Sequence, residues 1–401
     1  MGPLKGVKVL DMSRVLAGPW AGQVLADMGA DVIKVERIER GDDTREWGPP
    51  YMKNARGIIS GEAAYFHSAN RGKKSITIDF TQKDGLNILY KLLKNTDIVL
   101  ENYKVGTLKK YGLDYKTLNK KNPKLVYASI TGFGQSGPKS ALPGYDFMIQ
   151  GMSGLMSVTG RENADPQKVG VALTDIMAGL YASIAVLGAL RHADKTGQGQ
   201  HIDLALLDVA VATMANQAQN YLATGTPPQR MGNAHPNLFP YNVFRTSDGY
   251  IIVAVGNDTQ FVGLARLLGQ AGWAIDPRFK TNAARVKNRE QLMGYMTQIM
   301  RTRTRDLWLS DLNAANIPCG PINDMDDVFS DKQVQHRGLK ICVTHPQLGS
   351  VPSVKSPINY SDTVQEYTLA PPTLGEHTNE ILAKLGYSKA KIAALKENSI
   401  I

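Results

Sequence analysis

The first third of the chain alternates short β-branched runs with helical stretches, and that alternation admits few architectures. Val7–Met12 is followed by the helical Ala21–Met28 and then by Val32–Val35. Ser75–Phe80, Gly85–Lys94 and Asp97–Glu101 repeat the pattern, and Leu125–Ile130 adds a further run. Two such runs joined by an amphipathic crossover make a βαβ unit, in which the strands lie parallel. The expected fold is therefore α/β, with a doubly wound, mainly parallel, Rossmann-like sheet covered by helices. Sheets of this kind bind ligands beyond the carboxyl ends of their strands. The loops Ser13–Trp20, Glu36–Arg45, Glu101–Gly106 and Thr131–Tyr145 are accordingly where a site is expected.

The pattern changes in the second half. After the long region Asp175–Ala223, which reads as helical, the Pro-, Gly- and Asn-rich stretch Gly225–Pro240 reads as an interdomain linker. Tyr241–Thr246 and Tyr250–Val255 flank Ser-Asp-Gly as a hairpin, followed by helices at Gln260–Leu268, Arg289–Arg301 and Arg305–Ala315. This predicts a smaller α+β domain. Pro346–Pro372 reads as extended and proline-rich, and a last helix is expected at His377–Leu385. The divisions are a large domain at 1–224, a small domain at 225–335 and a C-terminal segment at 336–401.

With 401 residues, 43% of them hydrophobic, the chain can bury a substantial core. Its 46 Lys and Arg against 36 Asp and Glu give a formal charge of +10, which favours an anionic partner. Cys319 and Cys342 stand in no CxxC or Cys/His cluster, so neither a disulfide framework nor a metal site is expected. The strand-like Val7–Ser13 leaves no room for a signal sequence, which makes the cytoplasm the expected compartment. The apolar run Ile176–Leu190 is shorter than the roughly 20 residues that span a bilayer, so no membrane segment is expected.

Three motifs carry chemistry. Gly132-Phe-Gly134-Gln-Ser-Gly137 has the letters of a dinucleotide fingerprint, but Pro138 closes it, no helix opens at its last glycine, and no acidic residue ends a following strand. It reads as a turn, or as a loop whose N–H groups face a thioester or phosphate. Arg71, Lys73 and Lys74, with Lys104, Lys109 and Lys110, flank post-strand loops where phosphates can be held, though a solvated face explains them equally. Aromatic residues are not interleaved with these charges, so a nucleic-acid stripe is not expected. Asp175 stands where a long apolar helix begins. Residue type favours a helix N-cap there, while a partly desolvated carboxylate can also serve as a nucleophile, and the pattern does not separate the two.

Taken in order, Asp11–Pro19, Gly29–Arg37, Gly41–Arg45, Asn70–Ser75, Glu101–Tyr103, Thr131–Pro138 and Gly144–Asp146 make the chain similar to the class III CoA-transferase (CaiB/BaiF) family. Gly170–Gly179, Gly199–Asp203, His235-Pro236 and Gly375–Thr378 extend the likeness to the C-terminus. The resemblance implies an enzyme with Asp175 as nucleophile, and a homodimer of interlocked ring-like protomers whose C-terminal segments return to the large domain. It also implies coenzyme A or acyl-CoA as substrate, with no tightly bound cofactor. The implied CoA contacts are Leu16, Ala17, Arg37, Asn70, Lys73, Asn102, Tyr103, Lys104, Lys110 and Tyr145.

The branch is read from further residues. α-Methylacyl-CoA racemases of the same superfamily carry a histidine before Asp146, where this chain has Tyr145, a poor proton acceptor at neutral pH. The triple-glycine loop of the formyl-CoA:oxalate branch is absent between Gly225 and Gly256. Segments containing Arg45, His235 and Val255–Asp258 look more like enzymes that exchange CoA among dicarboxylates, with succinyl-CoA as the expected donor. Arg45 and His235 are the substrate candidates, and the N–H groups of Gly132, Gly134 and Gln135 are the oxyanion candidates. A racemase-like enzyme and a noncatalytic CoA-binding regulator are the alternatives.

Overall fold

In the computed structural model, which describes residues 2–54 and 56–401, the first apolar run forms β1 (Lys8–Asp11). It leads into α1 (Ala17–Asp27) and β2 (Asp31–Glu36), which pairs parallel to β1 with Val9 opposite Val32. β3 (Lys73–Thr77), α2 (Lys83–Leu93), β4 (Ile98–Glu101) and β5 (Val126–Thr131) follow. The short α3 (Asp146–Met152) precedes the 24-residue α4 (Leu173–Thr196), β6 (His201–Ala205) and α5 (Leu206–Ala212). The six strands form one sheet in the order β3-β2-β1-β4-β5-β6, parallel at every pairing. The fold is mixed α/β about a large parallel sheet.

Strand alternation sends Val9, Val32, Leu100 and Ala128 into one core layer with residues of α1, α4 and α5. Leu10, Val35, Val99 and Tyr127 enter another layer with residues of α2. Helices α1 and α4 approach closely, since a Cβ added at Gly179 would lie 2.7 Å from the Ala17 carbonyl oxygen.

Two expectations are corrected in this region. Asp175–Ala223 is not continuously helical, because β6 interrupts it and pairs with β5, His201 opposite Tyr127. The strand is short and its Ala205 runs directly into α5 at Leu206 with no turn residue between them, which hid it. The helix is also longer than its apolar run suggests: by length and composition alone α4 is long and apolar enough to cross a membrane. Here its Ala178, Ala182, Val186 and Ala189 are packed into the core.

Two compact units divide the chain. The first comprises Met1–Leu155, Val169–Gln219 and Gln333–Ile401, and the second Met156–Lys168 and Asn220–Lys332. In the second, β7 (Tyr241–Arg245) and β8 (Tyr250–Ala254) form the antiparallel hairpin, which β9 (Cys319–Pro321) extends. Around it stand α6 (Asp258–Leu267), α7 (Arg289–Met300) and α8 (Arg305–Ala314), their Phe261, Met296 and Trp308 buried with Phe244 and Ile251. The C-terminal segment of the first unit contains a hairpin, β10 (Lys340–His345) with β11 (Gly349–Val354), the second strand of which lies in the stretch expected to be extended. Beyond α9 (Thr378–Lys384) lies a further helix, α10 (Lys389–Glu397), N-capped by Ser388. Ile381, Leu382, Ile392 and Leu395 of these two helices complete the core layer that contains α2.

Candidate active site

A cleft opens at the carboxyl ends of β1, β4 and β5. It lies where the strand order reverses between β1 and β4, the position at which open parallel sheets bind ligands. Arg14, Val15, Leu16 and Ala17 line it from the loop after β1, and Asn102, Tyr103 and Lys104 from the loop after β4. Gly132, Leu142, Tyr145 and Asp175 complete the wall. Seven of the residues anticipated for CoA or catalysis thus meet in one cavity: Leu16, Ala17, Asn102, Tyr103, Lys104, Tyr145 and Asp175.

Asp175 is not the cap of α4. It is the third residue of the helix, and the residue at the cap position, Ala172, makes no side-chain capping bond. The carboxylate of Asp146 serves the helix terminus instead: its Oδ1 accepts from the Thr174 N–H at 2.8 Å, the Thr174 hydroxyl at 2.6 Å and the Asp175 N–H at 3.4 Å. Gln150 Nε2 donates to the other oxygen at 2.7 Å. The side chain of Asp175 is thereby left to the cleft. Burial, and then the negative charge of Asp146, push its carboxyl up to about 7. Asp146 stood in the sequence only as part of the Gly144-Tyr-Asp segment of the resemblance, and its partnership with a helix 28 residues onward is tertiary.

Other anticipated residues are held elsewhere. Lys73 is fully buried, its ammonium 2.8 Å from Asp11 and 2.9 Å from Asn70 Oδ1, so neither Lys73 nor Asn70 lines the cleft. Arg71 is likewise sealed against Asp27 at 2.7 Å. Of the cations that suggested phosphate binding, Arg71 and Lys73 are therefore internal, while Lys104, Lys109 and Lys110 are exposed. Arg45 is buried between Glu36 at 2.8 Å and Glu62 at 2.7 Å, which makes it a structural cation. Arg37 is exposed and pairs with Asp43, a residue of the cleft wall. Lys110 is exposed in the turn Leu108–Tyr111 and does not reach the cleft lining. His235 lies in the second unit, where its Nδ1 accepts from the Asn237 N–H at 3.0 Å.

Of the oxyanion candidates, only Gly132 faces the cleft. The Gly134 N–H donates to the Thr131 hydroxyl at 2.9 Å, and the Gln135 N–H donates to both oxygens of Asp203 at 3.1 Å. Those two donors are engaged in fixing their own loop.

Sequence reasoning passed over Arg14 and Asp42. Arg14 lines the cleft, its guanidinium 5.4 Å from the Tyr103 ring centroid and one nitrogen, Nε, buried without a partner. Its place in a post-strand loop was the available signal. Asp42 is buried and paired with Lys34 at 2.8 Å. Burial alone raises its carboxyl, but the Lys34 ammonium and the N–H donors of Thr44 and Val15 outweigh that and hold it at about 2.

The arrangement is an enzyme's: a nucleophile-capable carboxylate in the lining of a strand-end cleft. The sequence model of CoA-transferase family III matches residues 4–378, and the chain belongs to that family. A succinate–glutarate CoA-transferase of Agrobacterium fabrum is 50% identical over 384 residues, 96% of either chain. Human succinyl-CoA:glutarate CoA-transferase is 41% identical over 401 residues, all of this chain and 90% of that one. The crystal structure of a CaiB/BaiF family protein from Brucella suis superimposes with a TM-score of 0.84 at 50% identity, covering 96% of this chain and 99% of that one.

Proposed function

We propose that this protein moves CoA from succinyl-CoA to a dicarboxylic acid such as glutarate, with Asp175 carrying the acyl group in transit. The observation that carries the reading is an aspartate in the first turn of α4 that faces a strand-end cleft because another carboxylate caps its helix. The names of the relatives support the substrate class.

In this mechanism an Asp175 oxygen attacks the succinyl thioester carbonyl, expelling CoA thiolate and leaving a succinyl–aspartyl anhydride. The thiolate then attacks the side-chain carbonyl of Asp175, releasing succinate and forming an aspartyl-CoA thioester. The acceptor carboxylate attacks that thioester, the thiolate leaves again, and a second anhydride forms. Attack of CoA on the acceptor's carbonyl yields the new thioester and restores the aspartate. Every intermediate keeps its activation, which an ester formed by a hydroxyl nucleophile would lose. Each addition develops an oxyanion, for which a donor is worth about 3 kcal/mol, and the Gly132 N–H is the candidate in the cleft wall. Anhydrides must be kept from water, which assigns a covering role to the glycine-containing loop between Thr131 and Tyr145.

A Rossmann-like reading of the sheet, a cytoplasmic location, the absence of tightly bound cofactors, and a homodimer belong to the same proposal. Exposed apolar side chains on α3 and α4, among them Phe147 at 59% and Ile184 at 66%, support the dimer.

The test is to incubate the protein with succinyl-CoA and glutarate and read new thioesters by mass. Glutaryl-CoA is expected, and its absence rejects the acceptor. Asp175→Ala should lower transfer by at least about a thousandfold with the fold retained, since the covalent route is lost. Hydroxylamine trapping should place the hydroxamate on Asp175; a hydroxamate elsewhere refutes the assignment.

A further inference from the structure

The loop between β1 and α1 is tied down residue by residue. The Ser13 carbonyl accepts from Lys34 Nζ at 2.9 Å. The Asn102 amide clamps Arg14 from both sides, its Oδ1 accepting from the Arg14 N–H at 2.9 Å and its Nδ2 donating to the Arg14 carbonyl at 2.7 Å. The Val15 N–H is held by both oxygens of Asp42, at 3.1 and 3.2 Å. Val15 has φ of +71°, a left-handed conformation that a β-branched residue does not hold unaided. The four residues Arg14–Ala17 that follow Ser13 all line the cleft that contains Asp175.

Asp42 is built to hold such a contact. It is buried, and its Oδ1 also accepts from the Thr44 N–H at 3.0 Å and the Thr44 hydroxyl at 2.9 Å. Its Oδ2 pairs with the buried ammonium of Lys34 at 2.8 Å. The same lysine thus fixes Asp42 and, through Ser13, the start of the loop that Asp42 completes.

We infer that Asp42 is a positioning residue for the transfer reaction: by gripping the Val15 N–H it keeps the loop in the left-handed turn that shapes the CoA wall of the cleft. The inference rests on the reading that this cleft takes CoA. Without the grip Val15 relaxes to negative φ, which redirects Arg14 on one side and Leu16 and Ala17 on the other. Asparagine at this position offers one acceptor oxygen in place of two and no charge to Lys34.

Calorimetric titration with CoA tests this. Asp42→Asn should weaken CoA binding about tenfold or more, and in the transfer assay KM for the acyl-CoA should carry more of the loss than kcat. Adding Val15→Gly to that variant should recover at least threefold in affinity, because glycine reaches positive φ without steric cost. A purely structural role for the buried ion pair would give no such recovery. A folded Asp42→Asn protein with unchanged affinity, or a double variant no better than the single, overturns the inference. If Asp42→Asn does not fold, Val15→Pro carries the test: it leaves the Lys34–Asp42 pair in place, locks φ near −65° and removes the gripped N–H. The same tenfold loss is expected, and unchanged affinity overturns the inference. CoA affinity is independent of which acid is served, so a wild-type protein that binds CoA but fails to convert glutarate rejects only the substrate reading.

Discussion

In the proposed mechanism Asp175 has to be a carboxylate to attack, and yet it is held, by burial and by Asp146, in a setting that favours its acid form. The free enzyme's kcat/KM is expected to rise with pH through an apparent value of about 7, to which burial and Asp146 push this group. Asp146→Asn keeps an oxygen for the Thr174 N–H but removes the like charge, so the acid limb of the profile should move to lower pH. An unmoved limb would assign it to another group. Stability should answer in the opposite sense. An unfolded aspartate titrates near about 3.9, so between there and about 7 the folded protein holds a proton that the unfolded chain has released. The stability contribution of this raised carboxyl therefore falls as pH rises across that window and stays low above it. Asp175→Asn does not titrate, and its Tm relative to wild type should climb from pH 4 to pH 7 and then level off. A difference independent of pH in thermal melts would count against the shifted carboxyl.

At the scale of elements, the site depends on loops that the strands deliver and on how tightly those loops close. The loop after β5 doubles back until Gly132 and Gly144 touch: a Cβ on Gly132 would lie 2.6 Å from the Gly144 Cα. Gly144→Ala should push the loop off the strand end, costing about 1–3 kcal/mol of stability by overpacking. CoA affinity should fall with it, and limited proteolysis between Thr131 and Tyr145 should speed up; a protease pattern like wild type would show that the loop absorbs the methyl group. This contact was invisible in the sequence, where Gly132 opened the letters of a cofactor fingerprint to which Gly144 does not belong. The first five strands of the sheet were legible because each is a β-branched run bounded by turn residues. β6 and α10 were not, the former for lack of a break before the next helix and the latter because its apolar positions matter only once they meet the core layer around α2.

For the whole molecule, the proposed dimer makes the exposed side chains of α3 and α4 testable. Wild-type protein should sediment as a dimer, and Ile184→Glu, which places a charge on that face, should shift it toward monomer; a monomeric wild type rejects the assembly. Local pattern by itself determined the parallel sheet, the hairpin domain and the loops where a site had to lie, because strand and helix periods are written in consecutive residues. Motif resemblance singled out Asp175. Only the tertiary structure decided which charged residues face the cleft and which are sealed beneath it, since Lys73 and Lys104 look alike along the chain, yet Asp11 and Asn70 are folded against the buried Lys73 while Lys104 lines the cleft. It also decided that Asp146, not Asp175, caps α4. A carboxylate's role follows from the groups it meets in space, and the partners of Asp42, Asp146 and Asp175 come together only when the chain has folded.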